Sequence, residues 1–315
     1  MRVSIRRRGV AAAAFTSLLT TAVLVGPVGQ AAAVGSPEGF GENTTGGGGA
    51  APVTVSDADS LVEAMQSEGA AVIQVSGMIE IDGMQDVASD KTLIGLGSGA
   101  GITGGGLDVD EANNVIIQNL TFSSWSDDAI NVQDGSTDVW IDHNTFTGGD
   151  DGAVDIKRGS DLITVSWNHF RDHDKTMLLG HSDGNGDQDR GHLRVSYHHN
   201  WFDGTNQRHP RVRFGDPVHV YSNYYHGVTS YGVASTVEAG VLVEGNYFED
   251  TDDPFHRGEG SSAPGDLVAR DNHFVNSGFG DQGGDVRPIP YSYSLDTPSE
   301  VKSIVSGGAG AGRIG

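Results

Sequence analysis

Seven short stretches decide the fold: VIIQNLTF (115–122), VWIDHNTF (139–146), VSWNHF (165–170), VSYHHNWF (195–202), VHVYSNYY (218–225), VLVEGNYF (241–248) and VARDNHF (268–274). Each is a brief β-branched run that leads into an asparagine and then an aromatic. The closing aromatics Phe122, Phe146, Phe170, Phe202, Tyr225, Phe248 and Phe274 are spaced by 24, 24, 32, 23, 23 and 26 residues, with no helical periodicity between them. Such a repeat is one coil of a solenoid. A single coil cannot bury its apolar side chains, and stacking on its neighbours at ~4.8 Å does so. The pattern predicts an all-β chain, a single-stranded right-handed parallel β-helix. A leucine-rich repeat lacks its leucines here, and a propeller needs four strands per roughly 40–45 residues. Asn119, Asn144, Asn168, Asn200, Asn223, Asn246 and Asn272 are expected at the coil corners. Asparagine tolerates left-handed backbone and can stack in a hydrogen-bonded ladder. The aromatics are expected to stack inside the core.

Outward from the repeat, Asp57 to Gly69 reads as a short N-terminal capping helix. Ser56 or Asp57 can cap it, and Leu61, Ala64 and Met65 share one face. Residues 34–52 form a Gly-rich polar arm whose composition is that of a linker or loose segment. Residues 1–33 read as a signal peptide: Arg2, Arg6, Arg7 and Arg8, an alanine-rich apolar run, then Ala31-Ala32-Ala33. Arg6-Arg7 leaves twin-arginine export open. The run is short and interrupted for a membrane span. The expected organisation is a signal peptide over 1–33, an arm over 34–52 and a β-helix domain over 53–315, secreted to the extracellular space as a monomer.

The formal charge is -23, and removing the four leader arginines takes it to -27. So acidic a surface excludes nucleic acid and anionic membrane as partners. The 47 glycines and the absence of cysteine fit many tight turns and an unstapled core.

Counting from each aromatic places a column of charges in successive loops. Asp128 lies six residues after Phe122, Asp151 five after Phe146, Lys175 five after Phe170 and Arg208 six after Phe202; Asp155 and Arg213 sit further round the same loops. Three coil steps span roughly 15 Å, room for a few sugar units. Asp128, Asp151 and Asp155 are hard oxygen donors suited to Ca2+. No cysteine or paired histidine favours zinc. Lys175, Arg208 and Arg213 would make the groove cationic once the ion binds, so that an anionic polymer could dock on an acidic protein. A solvated ladder of charges is the plain alternative.

These segments resemble the pectate lyases of polysaccharide lyase family 1 from about Gly39 to the C-terminus. The resemblance is carried by VWIDHNTF, by DDGAVDIKRGSDLITVSWNHFRDHDKTMLLGHSD (150–183) and by LRVSYHHNWFDGTNQRHPRVRFG (193–215). It implies a pectate lyase that cleaves polygalacturonate by calcium-assisted β-elimination. Asp151 and Asp155 match the family's paired calcium ligands, and Asp128 a further one. Where some members carry one more acid, this chain has Ser126. Lys175 and Arg213 match substrate-binding residues. Arg208 matches the residue assigned as base, with Lys175 as the alternative. Arg211 matches no assigned role. Arginine is protonated in water, so an arginine base among cations implies an alkaline optimum.

Other readings stay open. A polygalacturonase would use paired carboxylic acids, for which Asp127-Asp128 and Asp150-Asp151 are candidates. A pectin lyase would have no use for the calcium aspartates. A non-catalytic glycan-binding β-helix would need no cation cluster in register with them. Asp183, Asn185, Asp187 and Asp189 imitate the start of an EF-hand, but Gln188 and Arg194 stand where glycine and glutamate belong. Asp142-His143 and His198-His199 read as structural. Most of Trp125, Trp140, Trp167 and Trp201 read as core, with Trp125 close enough to Asp128 to reach the groove.

Overall fold

The computed structural model describes residues 35–314 together with Met1. The signal-peptide reading lies outside the described residues. Three parallel sheets wind around one core, with ten, nine and eight strands. The ten-stranded sheet runs from Pro52–Val55 to Asp266–Arg270, the nine-stranded from Met78–Glu80 to His273–Val275, and the eight-stranded from Met84–Asp86 to Phe255–Arg257. Each coil visits the three sheets in turn, which is the parallel β-helix the repeat predicts.

Register follows the aromatics. Phe122, Phe146, Phe170, Phe202, Tyr225, Phe248 and Phe274 are direct partners in the nine-stranded sheet. Each is the middle residue of a three-residue strand, so alternation turns it inward. Phe146 stacks on Phe122 at 5.1 Å and on Phe170 at 4.8 Å between ring centroids. Burying one such ring stabilises the fold by about 1.5–3 kcal/mol.

The asparagine ladder forms with one correction. Asn144 Nδ2 donates to Asn168 Oδ1 at 3.1 Å, and the chain of bonds continues through Asn200, Asn223 and Asn246 to Asn272 at 3.0 Å each. Asn119 stands outside it. It lies three residues before its aromatic where the others lie two, so Leu120 takes the ladder position. The left-handed residue at the corner is also not the ladder asparagine but the one before it. His143, Trp167, His199, Ser222 and Asp271 have φ of 50–55°, and Asn119 occupies the same place at 59°. The corner thus turns on one residue while the next points its amide inward to satisfy the backbone groups that the turn leaves unpaired.

The capping helix spans Ala58–Gln66. Asp57 caps it by accepting from Ser60 N at 2.9 Å, and Leu61 and Met65 are fully buried against the first coil. The Gly-rich arm is docked rather than loose. Phe40 N donates to Ser196 Oγ, Gly41 N to Thr164 Oγ1 and Gly47 N to Thr92 Oγ1, so the arm crosses the outer face of the ten-stranded sheet. At Gly47 a Cβ would stand 2.1 Å from the Ala71 carbonyl oxygen. Glycine here permits contact, although the same composition reads as flexibility. A C-terminal helix, Val301–Gly308, lays Val301 and Val305 on Tyr224 and Tyr247 of the nine-stranded sheet. Among the described residues no helix is long and apolar enough to cross a membrane.

Candidate functional site

The site forms where loops leave the nine-stranded sheet and enter the eight-stranded one. In the eight-stranded sheet Asp108, Asn131, Asp155, Leu178, Arg211 and Ala234 are partners in successive coils. Period-two alternation puts Asp155 with Lys157, and Arg211 with Arg213, on the outer face. The charge column is close to the counted one but not identical. The Lys175–Gln207 bridge and the strand registers align Asp128, Gly152, Lys175 and Gln207. Asp151 falls one residue before that line and Arg208 one after it. The loops differ in length by one residue, so counting from the aromatic slips by one.

Carboxylate oxygens of Asp127, Asp128 and Asp151 all lie within 4.8 Å of one another. Asp128 is 5% exposed; its Oδ1 accepts from Gly152 N at 3.0 Å and its Oδ2 lies 3.4 Å from Lys157 Nζ. Asp151 is half exposed and pairs with Lys175 Nζ at 3.1 Å. Asp155 is not one of the three. It is buried and accepts from Leu178 N at 3.2 Å, with Gly152 between its carboxylate and that of Asp128. Burial pushes the Asp155 carboxyl up to about 8; the Asp128 charge adds to this, and Lys157 and Arg208 oppose it. Burial likewise raises Asp128, against the pull of Lys157 and with the help of Asp127 and Asp151. So many carboxylates in one desolvated patch are a site for a hard cation. Asn131 supplies a further sign: it is buried in register with Asp155, and its Oδ1 has no partner. The donors present fit Ca2+.

The cations flank this patch. Arg208 sits at φ 65°, a left-handed conformation costly for a non-glycine residue. Its side chain forms no ion pair among the described residues, and its buried Nε has no partner. Its charge is close enough to oppose protonation of Asp155. Arg213, 8% exposed, is already engaged: Nε donates to Asp183 at 2.6 Å and Nη1 to the Gly180 carbonyl at 2.9 Å. Arg211 reaches the other way, to Ser262 Oγ at 2.9 Å and the Glu259 carbonyl at 3.2 Å.

Several readings from sequence change here. Trp125 does not reach the groove. It is 1% exposed, packs on Phe146 and His173, and donates from Nε1 to the Asp151 carbonyl, bracing the aspartate loop from beneath. The sequence offers Asp127 only as one of a hydrolase's paired acids, not as a metal ligand, and does not single out Asn131 or Lys157. The D-x-K spacing of Asp155 and Lys157 carried the signal for the last. The EF-hand-like loop disperses its side chains: Asp183 bonds Arg213, Asp189 accepts from Gly159 N, and Asp187 lies beside Arg190. Asp142, His143, His198 and His199 line a cavity of about 360 Å³ at the ten-stranded sheet; Asp142 bonds His143, Gln118 and Ser166, and His199 bonds His198 and Asp296.

A stacked parallel coil with an aspartate cluster flanked by lysine and arginines is the build of a polysaccharide lyase. The sequence model of the pectate lyase family matches residues 11–314. Over 86% of its length the chain is 36% identical to a pectate trisaccharide-lyase of Bacillus licheniformis, covering 84% of that protein. Its fold superposes on a Bacillus sp. N165 pectate lyase crystallised with trigalacturonate with a TM-score of 0.81, at 31% identity and covering 88% of this chain and 99% of that one. For pectate lyase II of Xanthomonas campestris the TM-score is 0.77 at 26% identity, with the same coverage. The chain belongs to the pectate lyase family and is an enzyme that acts on polysaccharides.

Proposed function

We propose that this enzyme cleaves polygalacturonate by β-elimination with calcium bound at the aspartate cluster, and that it does so outside the cell after loss of residues 1–33. The observation that carries the reading is the convergence of Asp127, Asp128 and Asp151 within 4.8 Å, with Lys175 bonded to one of them. Asp127, Asp128 and Asp151, with Asp155 and Asn131 beside them, would hold Ca2+, which when bound supplies a Lewis acid for the substrate carboxylate.

The chain's own residues supply the rest. Lys175 and Arg213 donate to the C6 carboxylate, where charge grows as the neighbouring C5 proton leaves. Arg208, free of an ion pair among the described residues, takes that proton in its neutral form. The C5–H electron pair becomes the C4–C5 double bond, the C4–O bond breaks, and the leaving oxygen takes a proton from water. A guanidinium gives up its proton only in a cation-rich surround and alkaline medium, so activity should rise on the alkaline side.

Digestion of polygalacturonate with and without a chelator tests this. Products should absorb in the ultraviolet through the C4–C5 double bond, and chelation should abolish them. Saturated reducing ends alone would assign a hydrolase instead, and an undiminished rate in chelator would remove the calcium. Sequencing the N-terminus of protein recovered from the medium tests export; a chain still beginning at Met1 would refute removal of the leader.

A further inference from the structure

The spacing between Phe170 and Phe202 exceeds the others, and the extra residues form a loop that returns over the arginine strand Arg211–Arg213. Asp183 in this loop accepts from Arg213 Nε at 2.6 Å. Gly180, at the root of the same loop, accepts from Arg213 Nη1 at 2.9 Å. Two of the three nitrogens of the guanidinium are therefore held, and Nη2 makes no hydrogen bond among the described residues. Asp183 is itself held. Ser262 Oγ donates to its Oδ1 at 2.8 Å and accepts from Arg211 Nη2 at 2.9 Å. A second loop, around Glu259 to Ser262, is thereby tied to the first across the strand. Arg211, which the sequence left without a role, anchors the chain of bonds.

We propose that Asp183 is a positioning residue for the elimination: with Gly180 and Ser262 it locks Arg213 so that Nη2 meets a uronate carboxylate of the substrate. This rests on the reading of Arg213 as a substrate ligand. The chemistry favours a lock over a competitor for the site. Asp183 engages Nε and Gly180 engages Nη1, which leaves Nη2 as the donor for a second carboxylate. A guanidinium on a free side chain would have to be ordered at each binding event, whereas a clamped one enters the complex in place. Arg213 is 10% exposed in its side chain and Asp183 43%, so the arginine is the more enclosed member of the pair.

The test is a double-mutant cycle on the full enzyme at saturating calcium, reading initial rates of unsaturated product on polygalacturonate. Asp183→Ala should lower kcat/KM by about ten- to a hundredfold, the scale of a misplaced catalytic group. Asp183→Asn, which keeps an acceptor for Nε, should recover much of the loss. In an Arg213→Ala background, Asp183→Ala should cost less than about twofold further, because residues that act through one another are not additive. Thermal unfolding of each variant separates misfolding from mispositioning. Full additivity in the double variant, or a rate increase in Asp183→Ala, would overturn the proposal, the latter by making Asp183 an inhibitory stand-in for substrate. Were Arg213→Ala itself without effect, the assignment of Arg213 would fail, which is a separate outcome.

Discussion

Gly152→Ala is the smallest change that strikes the aspartate cluster without removing a charge. A Cβ at this position would stand 2.2 Å from Asp155 Oδ1 and 2.7 Å from Asp128 Oδ1. Both carboxylates must retreat, the nearer by about 1 Å, before ordinary contact is restored. Neither moves freely. Asp155 is tied to Leu178 N, and Asp128 to Gly152 N and to Lys157. The backbone at Gly152 is not left-handed, so alanine is resisted by these oxygens and not by its own φ. Overpacking of this kind costs about 1–3 kcal/mol. Losses in metal affinity of about 10–100-fold follow when the surroundings of a ligand are disturbed. We expect the calcium concentration giving half-maximal activity to rise by about that factor, with the maximal rate partly restored at high calcium. Initial rates of unsaturated product across a calcium titration measure it, with thermal melts in chelator as the control for folding. An unchanged calcium midpoint with an unchanged melt would mean that Asp128 and Asp155 do not jointly serve the metal.

Arg208→Lys should cut kcat by about 10²–10⁴-fold with little change in KM if Arg208 is the base; near-normal turnover at saturating substrate would transfer that role to Lys175. In chelator, folded Asp155 keeps its proton to about pH 8, whereas the unfolded chain loses it near pH ~4. The fold therefore binds the extra proton between these values, and the melting temperature should fall as pH rises through that window. Calcium should stabilise more at pH 8 than at pH 4, and a flat pH profile in chelator would contradict the burial argument. Asn200→Ala takes the acceptor from the Asn168 N–H and from one hydrogen of the Asn168 amide, whose other hydrogen keeps the Ile141 carbonyl, and takes a donor from the Val165 carbonyl. At ~1–3 kcal/mol per buried orphan, urea unfolding should register a loss of about 3 kcal/mol or more; a loss below 1 kcal/mol would show that the ladder is ornamental.

The coil stack was legible because its signals repeat: an aromatic in register with an aromatic, an asparagine bonded to an asparagine. Asn119 misled because its offset from Phe122 is three residues, and one step along the chain exchanges the turning residue for the ladder residue. The charged loops were legible as a patch but not as a register: the Asp128 line runs six residues past the aromatic in the first two coils and five in the next two, whereas Asp151 lies at five and Arg208 at six. Asp183 and Arg213 are thirty residues apart and follow no period, so nothing local pairs them. The arm was misread because glycine-rich composition looks the same whether the chain is loose or pressed against a sheet. Only its partners Ser196, Thr164 and Thr92, far away in sequence, distinguish the two.

The two ends of the stack differ from its middle. Every interior coil has a neighbour above and below, but the first and last offer unpaired strand edges, which in other proteins template chain-to-chain growth. Here the helix Ala58–Gln66 lays Leu61 and Met65 across one open end. At the other, Gly283 returns to pair antiparallel with Leu267, with both backbone bonds formed at 2.8–2.9 Å. A strand of a second molecule arriving in the parallel sense would find that position taken by one running the opposite way. The same few residues that close the core thus stand where a further coil would have to be added to lengthen the stack.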